Sequence, residues 1–223
     1  GLMGKLAQVR SGDRKGVSKK EQVSWATAAH KIALSEGTAD QLSQATRLVV
    51  EANKQLSQFG SALEMALQTK LVFDAAEVDS FDSSLLAANA QMYLGQPGEA
   101  STLALPILES NPDAESAPHQ RAAWIAGLAA WELGRLDQLD KAAAASRGPQ
   151  KDALKALAAF HRGDVQTARL QFPPTGLQGE DAAFVYGVAA LVDRVNANQW
   201  YDKSIAGADQ SGIDMLRLST RLS

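Results

Sequence analysis

The chain has 223 residues, of which 45% are hydrophobic and 21% charged, so its composition is that of a folded globular protein and not of a disordered or fibrous one. It contains no cysteine, which excludes disulfides, thiolate metal sites and a cysteine nucleophile. No stretch matches the eighteen or so apolar residues of a membrane span, and the first residues lack the apolar core of a signal peptide. Either the periplasm or the cytoplasm is compatible with this composition.

Charge is unevenly distributed along the chain. Residues 1–20 hold a net charge of +5, and since the total is −3, the remaining residues hold −8. We interpret residues 1–17 as a basic linker or arm. Because the chain begins Gly-Leu-Met, we also consider that a membrane tether precedes residue 1 and that this arm lies beside the membrane. Nucleic-acid binding is disfavoured, since the acidic remainder would repel phosphate.

Three pairs of residues in the first third of the chain have the spacing of a capping box, which marks the start of a helix. The pairs are Ser18 with Glu21, Thr38 with Gln41, and Ser61 with Glu64. The first helix is predicted to end at about Glu36 and the second at about Gln58, with Gly60 as its stop. The third is predicted to carry an apolar stripe made of Leu63, Leu67, Leu71 and Val78.

A recurring pattern begins at residue 82 and surrounds three glycines, Gly95, Gly134 and Gly163. A bulky residue stands three positions before each glycine. A small residue stands four positions before the bulky one, and an apolar residue stands five positions after the glycine. The bulky residues are Met92, Trp131 and Phe160; the small ones are Ala88, Gly127 and Ala156; the last are Ala100, Leu139 and Ala168. This punctuation resembles the tetratricopeptide repeat, whose unit of about 34 residues is a pair of helices. The intervals here, 39 and 29 residues, make the repeats degenerate.

Further helices are predicted in the second half of the chain, and Pro106 is expected to kink a helix or delay its start. One helix spans about Arg121 to Leu133. A pair starts at Gly148-Pro149, and the segment 172–176 ends it. Another helix spans about Asp181 to Val195 and has an apolar face that consists of Phe184, Val188, Leu191 and Val195. A last helix, from Ser211 to Leu222, is predicted to cover the end of the stack.

Chemistry-bearing patterns are sparse. The three histidines, His30, His119 and His161, have no ligand at metal-site spacing. No nucleophile elbow, phosphate loop or dinucleotide-binding fingerprint occurs. We therefore predict no catalytic residue, no metal and no cofactor.

These observations predict an all-α fold, and the family resemblance implies a right-handed superhelix of stacked antiparallel helix pairs, an α-solenoid. Residues 18–223 would form one such domain, with the clearest repeats in 82–172. The resemblance also implies a non-catalytic scaffold or adaptor whose concave groove binds a protein or peptide. Carried over residue by residue, the groove candidates are Asn89, Tyr93, Arg121, Trp124, Leu128, Leu157 and His161. Trp124 belongs to an aromatic stripe for which a core role is the competing interpretation.

The alanine-rich, cysteine-free composition favours one region of a larger bacterial protein. The tetratricopeptide resemblance implies an envelope, secretion, pilus or motility assembly as its setting. One alternative is a sensory or regulatory domain whose enzymatic or DNA-binding region lies outside this chain. Another is an all-α enzyme whose site forms only in space.

Overall fold

The computed structural model describes residues 17–110, 115–171 and 177–211, and within these ranges the chain is helical and contains no β-strand. The predicted all-α class is therefore confirmed for the described part of the chain. The basic arm 1–17, apart from its last residue, the segment 172–176 and the predicted helix beyond Ser211 lie outside the described residues. The described helices are α1 (Lys19–Glu36), α2 (Ala39–Gln55), α3 (Phe59–Ala75), α4 (Phe81–Tyr93), α5 (Pro97–Ser110), α6 (Ala117–Glu132), α7 (Leu136–Ala145), α8 (Gly148–His161), α9 (Val165–Gln171), α10 (Gly179–Val192), a 3-10 helix (Arg194–Asn196) and α11 (Ala197–Ser211).

The chain divides into two compact units, Gly1–Leu94 and Gly95–Ser223. We call them unit 1, with helices α1 to α4, and unit 2, with α5 to α11. Within each unit, consecutive helices pack on one another. The boundary falls between α4 and α5, at Gly95, the first glycine of the recurring pattern. The single domain predicted for 18–223 stays a prediction.

Unit 1 begins as its sequence predicts. Both side chains of the Ser18–Glu21 box bond the other residue's backbone N–H, and α1 ends at Glu36 with Gly37 as its cap. The Thr38 box is formed in the same way at the start of α2. Two apolar clusters join these helices: Ala33, Leu42, Ala45 and Phe73 hold α1 and α2 to α3, and Ala26, Val49 and Ala52 hold α1 to α2.

The third predicted capping box is wrong. Helix α3 starts at Phe59, so Gly60 and Ser61 lie inside its first turn, and no side chain caps it. Helix α2 ends at Gln55, three residues earlier than predicted, and Ser57 adopts a left-handed φ of 58° in the turn. The reason is burial: Phe59 is 3% exposed, and burying a phenylalanine contributes about 1.5 to 3 kcal/mol, more than the roughly 1 kcal/mol of a typical cap.

The apolar stripe predicted for the third helix is also wrong. Leu71 is 67% exposed and Val78 40%, while Leu63 and Leu67 are half-buried. The buried face of α3 is instead Phe59, Ala62, Ala66, Thr69 and Phe73. Its alanines lie inside because small side chains let neighbouring helices approach closely.

Unit 2 is built around α6, in which residues 122–130 are all buried. The helix starts at Ala117, four residues before the predicted Arg121, because the Ser116 hydroxyl accepts the His119 N–H at 3.3 Å and Pro118 occupies the first turn. Helix α5 starts at Pro97 and continues past Pro106, so the predicted late start does not occur. Because α6 is buried on all sides over residues 122–130, it has no amphipathic stripe from which its orientation could be predicted.

Helix α10 also differs from its prediction, since it spans Gly179–Val192 and Val195 is 85% exposed in the 3-10 helix that follows. Phe184 and Val188 are buried as predicted. The Asp193 carboxylate ends α10 by accepting hydrogen bonds from the Asn196 side chain at 2.7 Å and from the Trp200 indole at 3.2 Å.

The three glycines of the recurring pattern adopt the same backbone conformation, with φ of 71° at Gly95, 68° at Gly134 and 79° at Gly163. A residue with a Cβ rarely adopts this left-handed conformation, which ends the preceding helix. The residues five positions after each glycine are fully buried, as are Ala88 and Ala156. The local punctuation predicted from the sequence is therefore confirmed at all three positions.

Candidate functional site

The seven predicted groove residues fall into three classes of exposure. Trp124, Leu128 and Leu157 are buried, at 7%, 8% and 1% exposed. Asn89 and Tyr93 are half-buried in α4. Arg121 is exposed in the first half of α6, and His161 is exposed at the end of α8.

Side chains of α10 contact α6 at Trp124 and Trp131. The Trp124 indole N–H donates to Asp181 Oδ1 at 2.9 Å. About two turns further along α6, the Trp131 ring packs edge-on against Phe184, with 5.7 Å between the ring centroids. The aromatic stripe is thus part of the core of unit 2. A partner could reach Trp124 only if α10 moved away.

Tyr93 belongs to an aromatic cluster in unit 1. Its ring stacks on Phe59, with centroids 4.5 Å apart and planes 5° apart, and the Lys54 ammonium lies 5.4 Å from its centroid. His161 packs over a turn, because its Nε2 lies 3.5 Å from where a Cβ on Gly134 would stand. Both side chains therefore have structural contacts inside their own unit.

An open groove of about 250 Å³ lies where α7, α8 and α9 meet in unit 2. Its floor is formed by Ala158 and Ala159, which are 2% and 7% exposed. Its walls carry six charged or polar side chains, which are Asp140, Lys155, Arg162, Asp164, Thr167 and Gln171.

Helix periodicity positions these side chains. Lys155 lies in α8, and Arg162, seven residues later, caps the end of that helix in a helical conformation, so the two lie on the same side. Gly163 turns the chain back, which places residues 164, 167 and 171 at i, i+3 and i+7 on one face of the α9 segment. Asp140 is contributed by α7.

The charged groups of the groove are unequally satisfied. Arg162 forms an ion pair with Asp140, and Asp164 Oδ1 accepts the Thr167 N–H at 3.0 Å. Hydrogen bonds from Thr167, first through its side chain and then through its backbone, lower the pKa of the Asp164 carboxyl. In the part of the chain that the structure describes, Lys155 has no ion-pair partner.

Volume and chemistry together limit what the groove can hold. The groove measures about 250 Å³, whereas small-molecule sites usually measure about 300 to 1,000 Å³. The groove is therefore small for a nucleotide or a flavin. It suits one or two residues of an extended peptide, whose backbone and side chains would meet donors, acceptors and both signs of charge.

This groove was not predicted from the sequence, because its charged and polar side chains are common surface residues and not histidines, aromatic residues or positions that the repeat family assigns to a groove. The sequence does contain one signal of the groove, the polar residues Asp164, Thr167 and Gln171 at helical spacing. This spacing indicates a groove only together with the positions of α7 and α8, which the sequence does not give.

A second polar cluster is buried in unit 1. His30 and Thr69 are fully buried and Thr46 is 1% exposed; His30 Nε2 lies 2.8 Å from Thr69 Oγ1, which lies 2.7 Å from Thr46 Oγ1. The Thr46 hydroxyl donates to the Leu42 carbonyl at 2.7 Å. If each hydroxyl donates onward along this chain, Nε2 carries the ring proton and Nδ1 is the acceptor. Nδ1 is buried without a partner, and burial lowers the pKa of His30.

Among the described residues, no group of three His, Asp or Glu side chains is arranged to hold a metal ion. No helix in the described ranges combines the length and hydropathy that a membrane-spanning segment needs. Comparison with family models, with curated proteins and with solved structures finds no match. The tetratricopeptide resemblance therefore depends on the residues of this chain alone.

Proposed function

We propose that this protein is a helical-repeat scaffold that binds a protein partner through an extended peptide segment, and that the groove of unit 2 is the binding site. The observation that carries the proposal is the groove of about 250 Å³, with an alanine floor and polar walls. Its size admits a short stretch of main chain, and its side chains can bond a peptide backbone as well as side chains.

The recurring helix pairs support the scaffold part of the proposal. The turns at Gly134 and Gly163 share the left-handed glycine and separate helices that pack on each other, α6 on α7 and α8 on α9. Helix α6 also contacts α8, the next helix but one. Contacts between alternate helices are what stacked repeats of the tetratricopeptide kind require. We therefore propose a solenoid of this kind.

The proposed role is binding and not catalysis. The Asp164 carboxyl has a pKa below its ordinary value, so it stays ionised near neutral pH and cannot act there as a general acid. Asp140 is engaged by Arg162. The carboxylates of the groove thus serve to hold charge and hydrogen bonds.

Selection of a phage-displayed random peptide library on the full chain tests the proposal. Enriched peptides would be synthesised and their dissociation constants measured by fluorescence anisotropy against the wild type, Thr167→Trp and Gln166→Trp. Thr167→Trp places an indole in the groove, whereas Gln166 is an exposed neighbour that does not line it. We expect at least a tenfold loss of affinity with Thr167→Trp and less than a twofold change with Gln166→Trp. Equal effects of the two variants, or no enriched peptide, would refute the proposal.

A further inference from the structure

We infer that the peptide held in this groove places a carboxylate, from an aspartate, a glutamate or a chain terminus, against Lys155. This inference rests on the proposed function and assigns the chemistry of the partner. It predicts an acidic group in the segment that binds.

The inference follows from how the charges of the groove are paired. Asp140 and Arg162 neutralise each other. Asp164 already accepts a hydrogen bond from Thr167, and these bonds lower its carboxyl pKa. Lys155 is the cation of the groove that has no ion-pair partner among the described residues. Asp164 is also ionised, but Thr167 already stabilises its charge, so a ligand gains most by bringing an anion to Lys155.

The position of Lys155 separates this anchor from the existing ion pair. At 1.5 Å rise per residue, the seven residues from Lys155 to Arg162 correspond to about 10 Å along α8. An extended peptide covers that length with about three residues. A carboxylate at Lys155 therefore need not compete with Asp140 for Arg162.

The expected size of the effect is modest because Lys155 is exposed. An exposed ion pair typically changes an equilibrium constant about 1.5- to 5-fold, and salt weakens it. We therefore expect a threefold preference for an acidic peptide at low salt, and about a tenfold change on charge reversal.

The probes are three fluorescein-labelled heptapeptide mixtures, degenerate at every position except the centre, which is Glu, Gln or Lys. Their affinities for the full chain would be measured by anisotropy at 20 and 500 mM NaCl, with Lys155→Gln and Lys155→Glu as test variants. Lys151→Gln is the matched control, because it removes the same charge one turn earlier on α8 from a residue that does not line the groove. Thermal melts by circular dichroism would verify that each variant is folded.

Support requires that the Glu mixture bind best, that 500 mM NaCl and Lys155→Gln abolish its advantage, that Lys155→Glu favour the Lys mixture, and that Lys151→Gln change nothing. If the Glu and Gln mixtures bind equally, or if the preference survives in Lys155→Gln, the inference fails while the peptide-binding groove stands. If the Lys mixture binds the wild type best, Asp140 and Asp164 control binding and the inference also fails. If no mixture binds, both the inference and the proposed function are refuted.

Discussion

Substitution of Gly127 tests whether the small residue of the recurring pattern is there for close helix packing. A Cβ at this position would stand 2.6 and 2.7 Å from the two terminal carbons of Leu154 and 3.2 Å from the Ala142 Cβ. Leu154 is fully buried, so its side chain cannot swing into solvent to make room.

Two opposing terms set the magnitude for Gly127→Ala. Alanine gains about 1 kcal/mol in intrinsic helix propensity over glycine, and overpacking a core typically costs about 1 to 3 kcal/mol. We expect a net loss of up to about 2 kcal/mol for Gly127→Ala and a larger loss for Gly127→Leu. The control is Gly98→Ala in α5 of the same unit, where a Cβ would meet nothing within 4 Å and stability should rise by up to about 1 kcal/mol.

The assay is urea unfolding followed by tryptophan fluorescence, since three of the four tryptophans lie in unit 2. Combining Gly127→Ala with Leu154→Ala should cost less than the sum of the two single changes, because the new methyl group fills part of the space that leucine leaves. The packing argument is wrong if Gly127→Ala stabilises the protein as much as Gly98→Ala does.

Burial lowers the pKa of His30 below its ordinary 6.5, so on acidification the unfolded chain binds a proton before the folded protein does. The free energy of unfolding should therefore be at its full value above about pH 6.5 and fall as the pH drops below it. Urea titrations at pH 7.5 and 5.5 should show a smaller decrease of this free energy for His30→Gln than for the wild type. The same decrease in both proteins would contradict this. Gly134→Ala should lower the free energy of unfolding by about 1 to 2 kcal/mol through the φ of 68° alone, since the atom nearest to the new Cβ, on the His161 ring, is at an ordinary 3.5 Å. Gly134→Asn should lower it less, and equal losses would refute the backbone argument. Asp181→Ala removes the acceptor of the buried Trp124 N–H and should lower the free energy of unfolding in urea by about 1 to 3 kcal/mol. Asp181→Asn keeps an acceptor oxygen and should lower it less. Two equal losses would show that the hydrogen bond is not the cause.

Local sequence signals predicted the all-α class and those helix ends that depend on nearby atoms. Ser18, Thr38 and Gly95 act through atoms within a few residues of themselves, so their effect can be predicted without knowing the rest of the fold. Where long-range burial competed with such a signal, the local signal failed. The capping box expected at Ser61 did not form because Phe59 is buried.

The tertiary structure alone decided which surfaces remain open. Trp124 sits at a position that a repeat pattern assigns to a groove, but contacts from α10, far along the chain, cover it, and Leu157, at another such position, is 1% exposed. The groove of unit 2 combines Asp140, Lys155 and Thr167 from three helices, and its composition is ordinary for any protein surface. Local propensity depends on neighbours in sequence, whereas a site depends on distances between segments, which the order of residues along the chain does not state.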